Sequence, residues 1–468
     1  MPTSWMTCDF KTLLTSLESG SRPKGGVRGI KEGIPSIGGE HLTYKGKLDF
    51  SSIKYVPNEF ASRMNKGHIQ KSDILIVKDG ATTGKTAFID ETFPFDNAVV
   101  NEHVFVCRTS PLVESKFVFR YLMSKEGQER ILENFQGSAQ GGINLSFAPN
   151  TEVVLAPLNE QRRIVAKLEK LLQKVDACKE RLDKIPAILK LFRQSVLAAA
   201  CSGQLTEDWR NSRELDAWQD VILNDVIEGK PKNGYSAKPV KHETPYRVLT
   251  LTATTSGKFD PRYFKYFDKF IPIDSSLWLQ PNDLLIQRGN TMEYVGVPAI
   301  YDGPPNHFIY PDLMMRCRAN NRVTPKFLYL ALSWEKTRTY LRKRATGTAG
   351  SMPKINQQVL LTVPISLPSL MEQEEIVHRV EALFKIADQI ERRYKKARAF
   401  VDKLTQSILA KAFRGELVPQ DPNDEPASEL LRRIKEEKTN TETKAKSRKH
   451  GRTVNKIDIK ETKKIGSI

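Results

Sequence analysis

One octet occurs twice in this chain, and the repeat restricts its fold more than any other feature. Leu158-Asn159-Glu160-Gln161-Arg162-Arg163-Ile164-Val165 returns as Leu370-Met371-Glu372-Gln373-Glu374-Glu375-Ile376-Val377. The offset, 370 − 158 = 212, holds without a gap from Ile143-Asn144 to Gly203-Gln204-Leu205. Each copy opens a heptad. The first runs Ile164, Leu168, Leu171, Val175, Cys178, Leu182, Ile185, Leu189, Phe192 and Val196. The second runs Ile376, Val380, Leu383, Ala387, Ile390, Tyr394, Ala397, Val401, Leu404 and Ile408. Steps of four and three sustained this long predict two coiled-coil rods. A helix of ~40 residues is about 60 Å long. Pro368-Ser369 precedes the second rod, and Ser369 with Glu372 fits a capping box. Pro186 predicts a kink or break in the first. Gly203 and Gly415 are the expected helix stops.

What precedes each rod is also related, more distantly. Asp73-Ile74-Leu75-Ile76 matches Asp283-Leu284-Leu285-Ile286, and Gly137-Ser138-Ala139 matches Gly347-Thr348-Ala349. In the first head the pattern predicts strands at 34–37, 73–77, 87–89 and 103–107 and one helix from Ser115 to about Asn134. The expected fold is α+β. Two mixed α/β domains alternate with two long helices that pair as an antiparallel coiled coil, an internal pseudo-two-fold duplication. The expected boundaries are 1–155 and 209–366 for the heads and 156–208 and 367–418 for the rods. A turn and short terminal helix follow at 419–438, then a basic, disordered tail at 439–468.

Net charge is +18, and the tail carries only part of it: nine Lys or Arg against three Asp or Glu after Lys438. The folded part is therefore basic too, which reads either as a solvated basic surface or as a site for a polyanionic partner, nucleic acid above an acidic membrane. The five cysteines are scattered without a Cys-x-x-Cys pair, which suits a reducing compartment and argues against a metal site. With no signal pattern and no run of ~18 apolar residues, the expected location is the cytoplasm.

The chemical motifs are weak. Gly80-Ala81-Thr82-Thr83-Gly84-Lys85-Thr86 follows a strand, as a phosphate-binding loop does. It has three residues between its glycines instead of four, and a strand pattern after Thr86 instead of a helix, so a tight hairpin is expected. Asp73 with Lys78 does not complete a nuclease site, and no catalytic residue or metal ligand is assigned. Arg262-Tyr263-Phe264-Lys265-Tyr266-Phe267 reads either as a DNA-facing loop or as a strand with one apolar face. Arg288 and Asn290 end a strand, where an Arg reaches guanine and an Asn adenine in the major groove; the alternative is a polar turn. Lys78, Lys85 and Lys354 suit phosphate positioning. The full DNA-facing set adds Lys45, Lys47, Thr86, Lys265 and Thr348. The coiled-coil set is Ile164, Leu168, Leu171, Val175, Ile376, Val380, Leu383 and Ile390.

The two octets, the rod ending Gly415-Glu416-Leu417-Val418-Pro419 and the following Pro426-Ala427-Ser428-Glu429-Leu430-Leu431 carry a resemblance. Over residues of about 30–435 the chain resembles the specificity subunit of type I restriction-modification systems. The resemblance implies that each head reads one half of a split DNA site and that the rods set the spacer. It implies two modification subunits docked on the rods, carrying S-adenosylmethionine and methylating adenine. Restriction subunits would add ATP- and Mg-dependent translocation and cleavage, while this chain would bind no cofactor. Half-sites on one face of B-DNA lie about 34 Å apart. Ion pairing of Arg162, Arg163 and Lys167 with Glu374 and Glu375 would favour antiparallel rods. Two readings from other classes stand beside it: a single-chain DNA methyltransferase or nuclease, and a non-specific DNA-binding coiled-coil scaffold.

Overall fold

Ile74–Val77, four aliphatic residues in a row, make a strand buried on both faces. In the computed structural model, which describes residues 2–137, 141–213, 215–347, 352–441 and 443, this strand is central to the first head. The four-stranded antiparallel sheet runs Leu14–Ser19, Val104–Thr109, Ile74–Val77, Thr86–Phe88. The second head repeats it as Lys232–Asn233, Met314–Cys317, Leu284–Gln287, Pro298–Ile300. Even the register is kept: Ile74 faces Cys107 as Leu284 faces Cys317. The carboxylates before the central strands are structural. Asp73 accepts from the Gln70 N–H and from Arg108, and Asp283 from the Gln280 N–H and from Arg318.

The rods are single helices, Leu158–Cys201 and Leu370–Phe413, of 44 residues each. Their backbones alone span about 66 Å at ~1.5 Å per residue. The chain divides into two units, residues 1–180 with the chain from 398 on, and residues 181–397. In the first unit Ile164 and Leu168 share a core with Leu409, Ala412 and Phe413, and Lys179 donates to Thr405 Oγ1 at 3.4 Å. In the second, Val196 and Ala200 share a core with Ile376 and Val380, and Arg193 binds Asp388 and Glu391 at 2.8 and 2.9 Å. Within each unit, therefore, the helices run antiparallel. A helix over 427–441 buries Ala427, Leu430, Leu431 and Ile434 in the first unit's core. Residues from 444 on, most of the expected disordered tail, lie outside the described residues.

Several expectations are corrected. The helix over 115–134 is two, Ser115–Leu122 and Lys125–Leu132. Ser124 ends the first by donating to the Tyr121 carbonyl and caps the second by accepting from the Gly127 N–H. Pro186 does not break its helix, whose solvent-facing side tolerates the missing donor. The capping box is half made: Ser369 Oγ accepts from the Glu372 N–H at 3.4 Å, but the Glu372 carboxylate goes elsewhere. Ile390, expected in the seam, is 42% exposed, and Cys178 is exposed as well. At those levels the contact line steps by four through Lys179 and Glu391, which meet polar partners; an added step of four locally unwinds a coiled coil. Arg163 pairs with Asp424 and Glu375 with Arg379 of its own helix, so the expected charge pairing between rods is taken up locally.

The duplicated Glu-Gln dyad joins each head to its rod. Trp5 Nε1 donates to Glu160 at 2.8 Å, and Trp218 Nε1 to Glu372 at 2.9 Å. Gln161 accepts from the Glu114 N–H and donates to the Ala156 carbonyl; Gln373 accepts from the Thr324 N–H and donates to the Pro368 carbonyl. All four dyad side chains are buried. The glutamines satisfy backbone groups that are costly to bury unpaired, and the glutamates accept from the tryptophan side chains.

Candidate nucleic-acid interface

In each head two backbone stretches meet at the end of the central strand. In the first, the Ile143 N–H donates to the Lys78 carbonyl at 2.6 Å and the Gly80 N–H to the Gly141 carbonyl at 3.1 Å. In the second, the Ile355 N–H donates to the Arg288 carbonyl at 2.9 Å and the Asn290 N–H to the Pro353 carbonyl at 3.3 Å. A Cβ on Gly142 would lie 2.4 Å from the Lys78 carbonyl oxygen, so only glycine allows this approach. The loop beyond the strand closes at Gly84, whose N–H donates to the Val77 carbonyl at 2.9 Å; its counterpart, Gly296, donates to the Gln287 carbonyl at 2.6 Å. Strand, loop and strand form the expected hairpin, with no helix after Thr86.

The sequence-derived residues separate into groups on this frame. Lys78 and Lys85 flank the first head's loop; Lys85 Nζ lies 4.6 Å from the ring centre of the 74%-exposed Tyr44. An exposed ring carrying a cation is a stacking platform with a phosphate contact beside it. Thr86 is removed from the set: it is buried and its hydroxyl donates to the Gly84 carbonyl. Lys45 and Lys47 are exposed beside Tyr44 at a cleft of about 610 Å³ also lined by Lys116, Arg120 and Gln406, and Lys47 pairs with Asp176 at 3.1 Å.

Arg288, Asn290 and Lys354 come together in the second head; Thr348 lies outside the described residues. Arg288 borders a cleft of about 420 Å³ with Lys230, Asn233, Asn356 and Gln357. Its Nη1 reaches the Asp312 carbonyl at 3.3 Å, and among the described residues its buried Nε has no hydrogen-bond partner. The Asn290 amide is held locally, donating to Gln287 and accepting from the Thr291 N–H. Arg262 and Lys265 do not line this cleft. Phe264–Tyr266 is a strand in which Lys265 faces solvent, while Arg247 covers the rings of Phe264 and Tyr266. Of the two readings of 262–267, the strand with one apolar face is the observed one. Exposed Arg262 is clasped by Asp260, whose carboxyl the guanidinium holds down to about 2.

Sequence comparison decides what this arrangement belongs to. The model of the type I restriction modification DNA specificity domain matches residues 30–187 and again 216–398. The chain is 31% identical to the type I restriction enzyme EcoKI specificity subunit of Escherichia coli K12, covering 96% of this chain and 98% of that one.

The chain belongs to the type I restriction enzyme specificity subunits.

The StySPI specificity subunit of Salmonella potsdam is similarly related, 30% identical with the same coverage. The fold is shared with the HsdS subunit of Thermoanaerobacter tengcongensis, at TM-score 0.57 and 18% identity over 89% of this chain and 98% of that one. A chain from a structure of type I restriction-modification complex assembly matches at TM-score 0.67 and 18% identity, over 89% and 99%. The two domain matches give the duplication a meaning: this specificity subunit carries two recognition domains. Among its described residues, no group of three His, Cys, Asp or Glu side chains is placed to hold a metal ion, and no single helix is long and apolar enough to cross a membrane. The sequence reading missed two features. One is the Trp-to-Glu bond at each head–rod junction, signalled only by Trp5 and Trp218 preceding equivalent elements. The other is Tyr44, whose exposure no periodicity predicts.

Proposed function

We propose that this specificity subunit is the non-catalytic, DNA-reading part of a type I complex, each head reading one half of a split site. The observation that carries this reading is the pair of equivalent loop junctions with unlike side chains. Lys78 and Asp79 stand in the first head where Arg288 and Gly289 stand in the second. One backbone frame with different donors is what two different half-sites require. The antiparallel rods set the spacer and dock two modification subunits. Exposed Ile188, Leu191, Ile386 and Ile390 on the rods are the apolar surface offered to them. S-adenosylmethionine is held by those partners, ATP and Mg by restriction subunits, and the assembly works on chromosomal DNA in the cytoplasm. Reconstitution tests this. Methyl transfer to duplex DNA is expected only when this chain and its modification subunits are combined; transfer by this chain alone would overturn the non-catalytic assignment.

A further inference from the structure

The recognition-domain hairpin loops differ in length. Six residues, 78–83, lie between the closing partners Val77 and Gly84; eight, 288–295, lie between Gln287 and Gly296. Beneath each loop runs the helix that follows the mid-domain break, Lys125–Leu132 in the first head and Glu335–Arg344 in the second. The same helix position, at the 210-residue offset, serves both loops with different chemistry, holding the closing residue of the first and carbonyls inside the second. In the first head Gln128 Nε2 donates to the Gly84 carbonyl at 3.1 Å and to the Leu122 carbonyl at 2.7 Å. In the second, Arg338 Nη1 donates to the Val295 carbonyl at 2.7 Å and Nη2 to the Glu293 carbonyl at 3.0 Å.

Arg338 is 6% exposed, and among the described residues no carboxylate is in ion-pair contact with it. Burying a guanidinium without a counter-charge is costly. The carbonyls of a tight loop, however, have no ladder partner, and the planar fork of an arginine can serve two at once. The fit is close: a Cβ on Gly296 would lie 2.8 Å from Arg338 Nη1. On the other side of the loop, Asn290 hangs on the buried Gln287, which donates to the Leu251 carbonyl and to Thr254. The tip between these anchors, Thr291 to Glu293, faces solvent, with Met292 49% exposed. The longer loop thus has an arginine beneath it where the shorter loop has an amide.

We infer that Arg338 is the positioning residue that fixes the 288–295 loop in the shape with which the second head discriminates its half-site, and that Gln128 does the same for the first. The inference rests on the heads reading DNA, as proposed above. A loop held at both ends presents its tip and Arg288 in one geometry, whereas a released loop accommodates mismatched bases.

The test uses the full chain assembled with its modification subunits, acting on a plasmid library that carries every single-base change in the two half-sites. Arg338→Met keeps the side chain's bulk and removes both hydrogen bonds. The expected result is a roughly tenfold or greater loss of preference for cognate over single-mismatch sites in the second half-site alone. Gln128→Met is expected to do this in the first half-site alone. Arg338→Lys, which keeps the cation and one donor direction, gives an intermediate loss and serves if the methionine variant does not assemble. A purely structural role would lower methylation of all sites equally with both preferences intact, and that result overturns the inference. Thr291→Ala with Met292→Ala separates the two claims. If this tip change alters second-half preference while Arg338→Met does not, only the positioning role fails. If neither changes it, the loop does not read DNA.

Discussion

At the scale of single residues, the Glu-Gln dyad explains why the same octet opens both rods. Glu160 accepts the Trp5 indole N–H in a buried setting, so Trp5→Phe leaves a carboxylate oxygen without that partner. The expected cost is about 1–3 kcal/mol, read as a lower thermal midpoint. A midpoint unchanged within error would remove the dyad from the account of stability. Burial pushes the Glu160 carboxyl above its ordinary value, against the pull of its hydrogen bonds from Trp5 and Gln420. A carboxyl raised in the folded state favours folding most below the ordinary carboxylate range and loses that advantage as pH rises through the raised value. Glu160→Gln cannot ionise. Its midpoint relative to the parent is therefore expected to improve from about pH 4 to pH 7; thermal unfolding at several pH values checks the trend, and a worsening difference would contradict it.

At the scale of elements, the rods were legible because heptad spacing is a long signal, repeated over ten positions in each copy. The strands Ile74–Val77 and Val104–Thr109 were legible for the same reason: aliphatic runs bounded by polar residues. The helix break at Met123–Ser124 was not, because Ser124 stops one helix and caps the next through hydrogen bonds that leave the apolar period intact. The seam was misread at Cys178 and Ile390, where polar pairs between the helices replace the apolar step. Of the expected DNA-facing set, charge at strand ends placed Lys78, Lys85 and Arg288 correctly beside loops, but composition could not tell buried Thr86 from an exposed threonine. Pro186 faces solvent in an unbroken helix, so Pro186→Ala restores a backbone donor without disturbing the seam. It should raise stability by up to ~3 kcal/mol with helix content and assembly unchanged; circular dichroism and co-purification with the modification subunits check this, and lost assembly would mean that the proline shapes the rod. Ile188→Ser with Leu191→Ser removes exposed apolar surface. Weaker capture of modification subunits is expected at an unaltered melting temperature, and undiminished capture would move the docking surface elsewhere.

At the scale of the whole molecule, duplication separates two tasks. The rods kept their motif while the heads diverged on a common sheet, so on the proposed reading target bases and spacer length are independent properties. Inserting one heptad into each rod is expected to lengthen the spacer of the methylated site and leave both half-site sequences alone; a changed half-site would sink the idea of the rods as a ruler. The measurement that bears most directly on the central claim is genome-wide methylation mapping of a host carrying this chain and its modification subunit, against deletion of this chain alone. The account predicts a split motif with methyladenine in both halves, absent after the deletion. A methylation pattern unchanged by the deletion would contradict it.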